Sequence, residues 1–422
     1  MKKTALHNMT LCRRVVITGL GVVSPLGNTI DELTKNVFGG VSGVKFLVAP
    51  FADKLECKAA AQANFDPANY FNKKSEYNIL DRTGQMALHA AKEAVKHSNL
   101  NIDEALMPRM GVYVGTGMGG ALSVEDGYQT LFVKNEERLK PYTVLMCMYN
   151  SPASAIATHF KLSGANQTIS TACSSSAVAI GTALKDIRHG YLDAAIVGGT
   201  DAILSYASIR SWEAVRTLAD EDLKDIGASC KPFSANRTGL VIGEGAAMMV
   251  IETYESAVSR GAKIYAEIIG YGMANDFKHI TIPSKEGQAA TMRAAIIDAQ
   301  VSVNEIQYIN AHGTGTLFND ATETEAIKEV FDTYAYDIAV SSTKSMHGHL
   351  MGAAGGLEAI ITALALETNQ LPPTINLHVP DPKCDLDYVP NETRKVESLR
   401  CAMSNSFAFG GTGASLILRK LV

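Results

Sequence analysis

The sequence lacks the paired cysteines that a disulfide framework or a structural zinc site requires. Its seven cysteines are an odd number at irregular spacing, and no Cys-x-x-Cys pair occurs among the 422 residues. Free thiols of this kind are typical of a reducing compartment, so we expect a cytoplasmic protein. Six of the seven are predicted to be inert: Cys12, Cys57, Cys147, Cys230, Cys384 and Cys401.

Long apolar runs and a strong charge of one sign are also missing. No segment approaches the roughly 18 consecutive apolar residues of a membrane helix. Residues 1–12 have no signal-peptide core, and we expect them to be a short disordered extension. The net charge is only −5, from 38 basic and 43 acidic residues. We therefore expect neither a membrane nor a nucleic acid as a partner.

What is present is an apolar chain, 46% hydrophobic, that is too long for one ordinary domain. Short β-rich runs such as 14–21 alternate with helical stretches such as 81–99, which predicts an α/β fold with buried sheets. The pattern begins again after 255–263. We therefore predict two halves built on one plan, residues 13–258 and residues 259–422.

The first reactive motif is Thr-Ala-Cys-Ser-Ser-Ser, in which Cys173 follows a predicted strand and opens a predicted helix. A helix N-terminus carries partial positive charge and free N–H groups. These groups are expected to lower the pKa of the thiol and to stabilise an oxyanion. This context distinguishes Cys173 from the other cysteines and predicts a nucleophile.

Two histidine motifs lie in the second half. Asn-Ala-His-Gly-Thr-Gly-Thr contains His312, and Lys-Ser-Met-His-Gly-His contains His347 and His349. Each motif follows a predicted strand and is rich in glycine, so a ligand can approach closely. A metal site is the alternative to catalysis, but no carboxylate or cysteine lies close in sequence to complete a ligand set, and we expect none.

Together these motifs resemble the β-ketoacyl-[acyl-carrier-protein] synthases of the thiolase superfamily, in the elongating branch. The resemblance runs from Val-Val-Ile-Thr-Gly-Leu-Gly near the start to Ser-Asn-Ser-Phe-Ala-Phe-Gly-Gly near the end. It implies the thiolase fold, in which two similar α/β halves form five layers, α-β-α-β-α. The first half, 13–258, would carry the nucleophile, and the second half, 259–422, would carry the two histidines.

The resemblance also implies a catalytic centre of Cys173, His312 and His349. The family usually has threonine where this chain has His347, so the role of His347 stays open. Lys344 is expected to hold the site by pairing with Glu323. Phe409 matches a gating phenylalanine, whose N–H would form the oxyanion site with that of Cys173. In the loop that carries this phenylalanine, alanine precedes Phe409 and glycine stands at 413 where asparagine is common.

The chemistry implied is a decarboxylative Claisen condensation. Cys173 takes an acyl chain from a phosphopantetheine arm, malonyl on a second carrier loses its carboxylate, and the resulting carbanion attacks the acyl-enzyme. The histidines would donate hydrogen bonds to the enolate oxygen. No cofactor and no metal are needed, because the arm belongs to the partner, an acyl carrier protein.

Two pathways use such an enzyme, and the residues favour type II polyketide or polyene synthesis over fatty-acid elongation. The motifs around Cys173 and His312 look more like those of polyketide ketosynthases. Met118 and Tyr149 are predicted to line the acyl pocket near a subunit interface. The chain would therefore be a dimer, either with itself or with a paralogue that lacks the cysteine and sets chain length.

Because carrier proteins are acidic, a basic patch is expected where the carrier docks. The candidates are Lys73, Lys74, Arg138 and Lys140. Three rival functions remain: a degradative thiolase, a non-catalytic chain-length subunit and a starter synthase acting on coenzyme A thioesters. A thiolase would need a second reactive cysteine, a chain-length subunit would have lost Cys173, and a starter synthase would have asparagine in place of the second histidine.

Overall fold

The computed structural model describes residues 12–421, so all but the last residue of the predicted extension 1–12 lies outside the described part of the chain. Ten strands form one continuous sheet. The strands of the first half are β1 (Val15–Val23), β2 (Met110–Gly115), β3 (Asn166–Ile169), β4 (Ala194–Asp201) and β5 (Gly245–Thr253). Those of the second half are β6 (Ala266–Asn275), β7 (Tyr308–Asn310), β8 (Ala339–Ser341), β9 (Cys401–Phe407) and β10 (Thr412–Arg419).

The two halves of the sheet share one topology. The strand order is β8-β7-β9-β10-β6 in one half and β3-β2-β4-β5-β1 in the other, so each strand has a counterpart. In both halves the outer three strands are parallel and the remaining pairs are antiparallel. The halves meet where β1 pairs with β6, at Val16–Glu267 and Ile17–Ala266. Two short hairpin-like ladders lie outside this sheet: Lys45–Phe46 with Ala59–Ala60, and Gln370–Leu371 with Arg394–Lys395.

Helices cover the sheet and separate its halves. In chain order they are α1 (Ile30–Phe38), α2 (Lys74–Tyr77), α3 (Arg82–Ser98), α4 (Ala121–Tyr128), α5 (Thr143–Cys147), α6 (Ser151–Phe160), α7 (Ser175–Arg188), α8 (Tyr206–Val215), α9 (Tyr254–Ser259), α10 (Lys285–Ala299), α11 (Leu317–Phe331), α12 (Lys344–His347) and α13 (Ala354–Thr368).

The central layer consists of α7 and α13, each of which contacts strands of both halves. Helix α3 lies outside the first half and α10 outside the second, which completes the five layers. The segment Met351–Thr368 is long and apolar enough to cross a membrane, but 89% of it is buried in the protein. It is a core helix, because both halves of the sheet cover it. The predicted thiolase fold is confirmed.

The predicted boundary at 258/259 falls inside α9, so the change of half comes after this helix. Thr253 ends β5 and caps α9 by accepting a hydrogen bond from the Ser256 N–H. Strand β6 begins only at Ala266. The boundary therefore lies within 260–265, a few residues later than the sequence pattern indicated.

Helix α3 illustrates how local signals and close packing define one element. Asp81 caps its first turn by accepting from the Thr83 N–H, and Asn99 ends it in the left-handed conformation, at φ 51°. Against β1 the helix comes so close that a Cβ on Gly21 would lie 1.9 Å from the Ala90 carbonyl oxygen. Only glycine permits this approach, because the atom it would strike is backbone.

We therefore predict that Gly21→Ala lowers the free energy of unfolding by about 1–3 kcal/mol, since the added methyl forces α3 away from β1. Thermal or urea denaturation measures this. Gly84→Ala is the control in the same helix, because its added Cβ meets Leu80 at an ordinary 3.4 Å. If both variants unfold like the wild type, this packing constraint is wrong.

Candidate active site

Cys173, the predicted nucleophile, lies on a sharp turn between β3 and α7. Ala172 takes a left-handed backbone conformation, at φ 50°, which an alanine rarely adopts. Cys173 occupies the 3₁₀ turn Ala172–Ser174, and α7 begins at Ser175, two residues later than predicted. The turn directs the sulfur to the N-terminal end of α7, where it is only 7% exposed.

The two histidines reach the same point from the second half. His312 follows β7, and His349 follows β8 by way of α12. The cysteine sulfur and a ring nitrogen of each histidine all lie within 4.8 Å of one another. The two rings are nearly perpendicular, with centroids 5.4 Å apart. The structure thus brings together three residues that are 37 to 176 positions apart in sequence.

Hydrogen bonds decide which nitrogen of each ring carries the proton. The Met351 N–H donates to His349 Nδ1 at 3.2 Å, and Lys344 Nζ lies 3.4 Å from His312 Nδ1. Burial, reinforced by the charge of Lys344, holds the pKa of both histidines well below the usual range. Both rings are therefore neutral with an N–H at Nε2, and each can donate to a bound oxygen.

The same pattern disfavours a metal at these residues. A histidine that binds a metal through one nitrogen normally donates a hydrogen bond from the other. Here Nδ1 of each ring accepts a hydrogen bond from an N–H donor. A metal bound at Nε2 would require the ring proton to move from Nε2 to Nδ1, where it would face that donor. The set Cys173, His312 and His349 fits a hydrogen-bond donor site better than a metal site.

Lys344 is fully buried, but its partner is Glu358 of α13 and not the predicted Glu323. The Glu323 carboxylate is already used, because it accepts from the N–H groups of His312 and Gly313 at 2.8 Å each. Glu323 therefore holds the loop that carries His312, while Glu358 neutralises the lysine. Burial raises the pKa of both carboxyl groups to about 7, against the opposing charge of Lys344.

His347 lies beside this site but does not face the cysteine. Its Nδ1–H donates to the Gly348 carbonyl at 2.7 Å, and its Nε2 accepts from the Thr343 hydroxyl at 2.9 Å. Burial lowers its pKa to about 3. The ring is thus neutral and has both nitrogens satisfied, and His349 is the histidine beside Cys173.

The pKa of the Cys173 thiol in the substrate-free protein differs from the prediction made from the helix terminus. Burial raises the pKa of Cys173 to about 12, although Lys344 and the N–H of Phe409 act in the opposite direction. The desolvation of a fully enclosed sulfur outweighs the partial charge of a helix end. The predicted lowering of the thiol pKa is therefore wrong for the substrate-free state.

A cleft of about 100 Å³ leads from the surface to Cys173. Phe409 lines it and stacks on Trp212, with ring centroids 5.8 Å apart and planes inclined by 25°. The loop that carries Phe409 continues through Gly410 and Gly411, both at φ 85°. Its two ends bond to a second loop: the Gly410 N–H donates to the Ile280 carbonyl and the Asp276 N–H to the Gly411 carbonyl.

The predicted pocket and docking residues do not join this cleft within the single chain. Met118 and Tyr149 are 37% and 47% exposed and lie outside the cleft wall, on the face that carries α5. Lys140 forms an ion pair with Asp126 at 2.7 Å. The other three predicted docking residues are exposed at the surface: Lys73, Lys74 and Arg138.

Besides Glu358, the sequence reasoning missed a second residue of the site. Asp201, at the end of β4, is fully buried and accepts from the Thr116 hydroxyl and the N–H groups of Gly117, Met118 and Gly352. It thereby joins a loop of the first half to the turn that follows His349. An acid directly after a buried strand, in Gly-Gly-Thr-Asp, is the signal that could have indicated it.

Two repeated α/β halves, a cysteine on a strained strand-to-helix turn and two neutral histidines facing it define a condensing enzyme of the thiolase fold. Family models agree with this class. The model described as "Beta-ketoacyl synthase, N-terminal domain" matches residues 12–257, and "Beta-ketoacyl synthase, C-terminal domain" matches residues 265–378. The chain belongs to the β-ketoacyl synthase family, and it is an acyltransferase that catalyses a ketosynthase condensation.

Relatives and solved structures agree over nearly the whole chain. The "3-oxoacyl-[acyl-carrier-protein] synthase 2" of Staphylococcus aureus (strain COL) is 41% identical over 415 residues, 98% of this chain and 99% of that protein. The protein of the same name from Coxiella burnetii is 42% identical over 412 residues, 97% of this chain and 99% of that one.

Two solved structures are 34% identical, and each alignment covers 97% of this chain and 100% of the other. One is a type II PKS acyl-carrier protein in complex with its ketosynthase bound to the hexaketide, with a TM-score of 0.89. The other is the ishigamide ketosynthase/chain length factor, with a TM-score of 0.91. The relatives thus include enzymes of both pathways considered from the sequence.

The raised pKa of Cys173 predicts how its alkylation depends on pH. Below the pKa, the thiolate fraction and hence the rate rise about tenfold per pH unit, so iodoacetamide labelling of Cys173 should increase from pH 7 to pH 10 without a plateau. Mass spectrometry of the Cys173 peptide separates this labelling from that of exposed cysteines. A plateau near neutral pH would contradict a protonated resting thiol.

Proposed function

We propose that the chain condenses malonyl units, carried on an acyl carrier protein, with an acyl chain bound to Cys173, giving a β-ketoacyl carrier. The observation that supports this most directly is the convergence of the Cys173 sulfur and one ring nitrogen each of His312 and His349 within 4.8 Å. The cleft explains the use of a carrier, because a long, thin arm can reach a sulfur that is only 7% exposed.

The first half-reaction transfers the acyl chain to Cys173. The sulfur attacks the thioester carbonyl and the bond to the arm sulfur breaks. The proton lost from Cys173 passes to that sulfur, so the arm departs as a thiol. The N–H groups of Cys173 and Phe409 both lie at the sulfur and favour negative charge there. They are suited to stabilise the oxyanion of the tetrahedral intermediate, which is the role expected for them.

The second half-reaction needs donors and not a base. When malonyl loses its carboxylate as carbon dioxide, charge develops on the thioester oxygen, and an Nε2–H from His312 and one from His349 can bind it. Both rings keep this proton arrangement because their Nδ1 atoms already accept from Lys344 and Met351. Neither half-reaction needs a redox cofactor or a metal ion on the protein.

A second subunit would complete the acyl pocket. Strand β3 is an edge of the sheet, and the neighbouring segment exposes apolar side chains that a monomer would normally bury: Tyr128, Phe132, Val133, Tyr142, Val144, Leu145, Met148 and Tyr149. Met118 lies on the same face, since Tyr149 packs against the adjacent Gly119. We infer that a second copy or a paralogue covers this face, so that Met118 and Tyr149 line the pocket only in the dimer.

The carrier would dock at basic side chains of this assembly. Lys73, Lys74 and Arg138 are exposed and fit an acidic partner, whereas Lys140 is partly neutralised by Asp126. The structure of a related ketosynthase with its carrier protein supports a carrier as the partner. A cytoplasmic location fits this proposal, because the free thiol must stay reduced.

Polyketide or polyene assembly is the more specific proposal, and it is supported by the motifs around Cys173 and His312 and by the two solved ketosynthase structures. Fatty-acid elongation is the second candidate, favoured by identities of 41% and 42% to 3-oxoacyl-[acyl-carrier-protein] synthases 2. The two differ in whether the protein works alone and in how far the chain grows.

Purified protein incubated with malonyl-carrier and a short acyl-carrier tests this directly. We expect the wild type to add two carbons, detected by mass spectrometry of the carrier, and Cys173→Ala to add none. Extension by the protein alone indicates a homodimer, whereas activity that appears only with a cysteine-lacking paralogue indicates a heterodimeric polyketide synthase. Extension by Cys173→Ala refutes the proposal.

His312→Ala and His349→Ala should separate the half-reactions. Each removes one donor from the enolate, so we expect condensation to slow by about 10²–10³-fold, while acyl-Cys173 still forms. Single-turnover assays and the mass of the acyl-enzyme measure the two steps. His347→Thr is the matched control, because its ring does not face Cys173. An equal loss in that control would show that the effect is structural.

A further inference from the structure

One buried polar group in the wall of the cleft remains unexplained by the condensation chemistry. Gln288, in the first turn of α10, is only 3% exposed and lines the cleft that leads to Cys173. Its side-chain oxygen Oε1 is buried and has no hydrogen-bond partner among residues 12–421. Such an acceptor costs free energy unless a ligand or water donates to it.

The orientation of the Gln288 amide follows from a chain of hydrogen bonds. Burial raises the pKa of Asp320 and Glu323, but all four of their carboxyl oxygens accept a backbone N–H, which favours the ionised, accepting form. Asn319 must therefore present its NH₂ group to them, at 3.3 and 3.4 Å. This leaves the Asn319 oxygen to face Gln288.

The orientation of the Gln288 amide follows from that of Asn319. Gln288 Nε2 donates to Asn319 Oδ1 at 3.1 Å, so the amide cannot turn round without setting two oxygens against each other. Oε1 is thus the unpaired end of this series of hydrogen bonds, and the buried Asp320 and Glu323 of α11 fix it as an acceptor. Gln288 lines the cleft, and its buried carbonyl oxygen is rigid and unpaired there.

The neighbouring polar groups indicate what kind of ligand suits this oxygen. Thr314 and Thr316 line the same cleft and bond to each other through their hydroxyls, 2.9 Å apart. Hydroxyls can donate to a carbonyl, whereas Oε1 can only accept. A ligand that carries both carbonyl and N–H groups along a thin chain, which means one with amide bonds, would satisfy both sides of the cleft.

We propose that Gln288 Oε1 accepts a hydrogen bond from an amide N–H of the pantetheine arm and so sets the depth at which the arm enters the cleft. This rests on the proposed function, because the arm is the amide-bearing group of a carrier-bound substrate. Gln288 is then a binding residue for the arm and takes no part in the bond-making steps at Cys173.

The test compares ligands that differ by one N–H. The probes are S-propyl pantetheine, an inert thioether, and two analogues in each of which one amide N–H is replaced by an ester oxygen. We expect one of these esters to bind the full-length wild type roughly tenfold more weakly than the amide, the usual effect of one lost hydrogen bond. Titration calorimetry or ligand-observed NMR measures the affinities.

Gln288→Met keeps the length of the side chain and removes the acceptor, so it should bind the amide and both esters alike. Gln300→Met, at the exposed C-terminal end of the same helix, is the matched control and should keep the discrimination. The ester carbonyl is also a weaker hydrogen-bond acceptor than the amide carbonyl. Comparing the variants removes this effect, because it is the same in each protein.

Two results overturn this assignment: a wild type that binds both esters as well as the amide, or a Gln288→Met protein that still discriminates. If Gln288→Met fails to fold, Gln288→Leu, which also lacks the acceptor, takes its place in the comparison. Chain extension is measured separately. If the wild type discriminates between amide and ester but does not extend a chain, the proposed condensation is refuted and the role of Gln288 is not. If it extends a chain but does not discriminate, the role of Gln288 is refuted and the condensation is not.

Discussion

The buried ion pair between Lys344 and Glu358 is the interaction on which the site depends. It joins α12 to the core helix α13, and both side chains are fully buried. A charge so enclosed is stable only with its partner in place. Because the lysine also faces His312 Nδ1, the pair helps to keep that ring neutral with its proton on Nε2. Removing either member would disturb packing and chemistry together.

This arrangement requires the two halves to be packed as one body. Cys173 belongs to the first half and both His312 and His349 to the second, and α7 and α13 lie between the two halves of the sheet. Asp201 adds a polar link, since it accepts from N–H groups on both sides of the junction. Interiors packed at this density do not deform continuously, so the sulfur and the two rings keep their spacing. The loops around Phe409 and Ile280 lie at the surface side of the site, where motion costs less.

Much of the fold could be predicted from local signals. Helix α3 has a capping aspartate, an apolar face and a terminal asparagine, and it was located to within one residue at each end. Strand β9 was not predicted, because all seven of its residues are buried and it lacks the polar alternation of a half-exposed strand. The order of the motifs identifies the residues around Cys173. It does not give the exact start of α7, because the strained turn at Ala172 has no distinct composition.

The sequence by itself determined the fold class and the family, because these depend on motifs whose order along the chain is specific. The same motifs predicted Cys173 as the nucleophile with His312 and His349 beside it. Only the tertiary structure decided the partner of Lys344, the protonation of the thiol and the histidines, and the free acceptor on Gln288. Each of these depends on distance and burial between residues far apart in sequence. Desolvation and competition for hydrogen bonds arise only when the chain is packed, and no spacing within a motif encodes them.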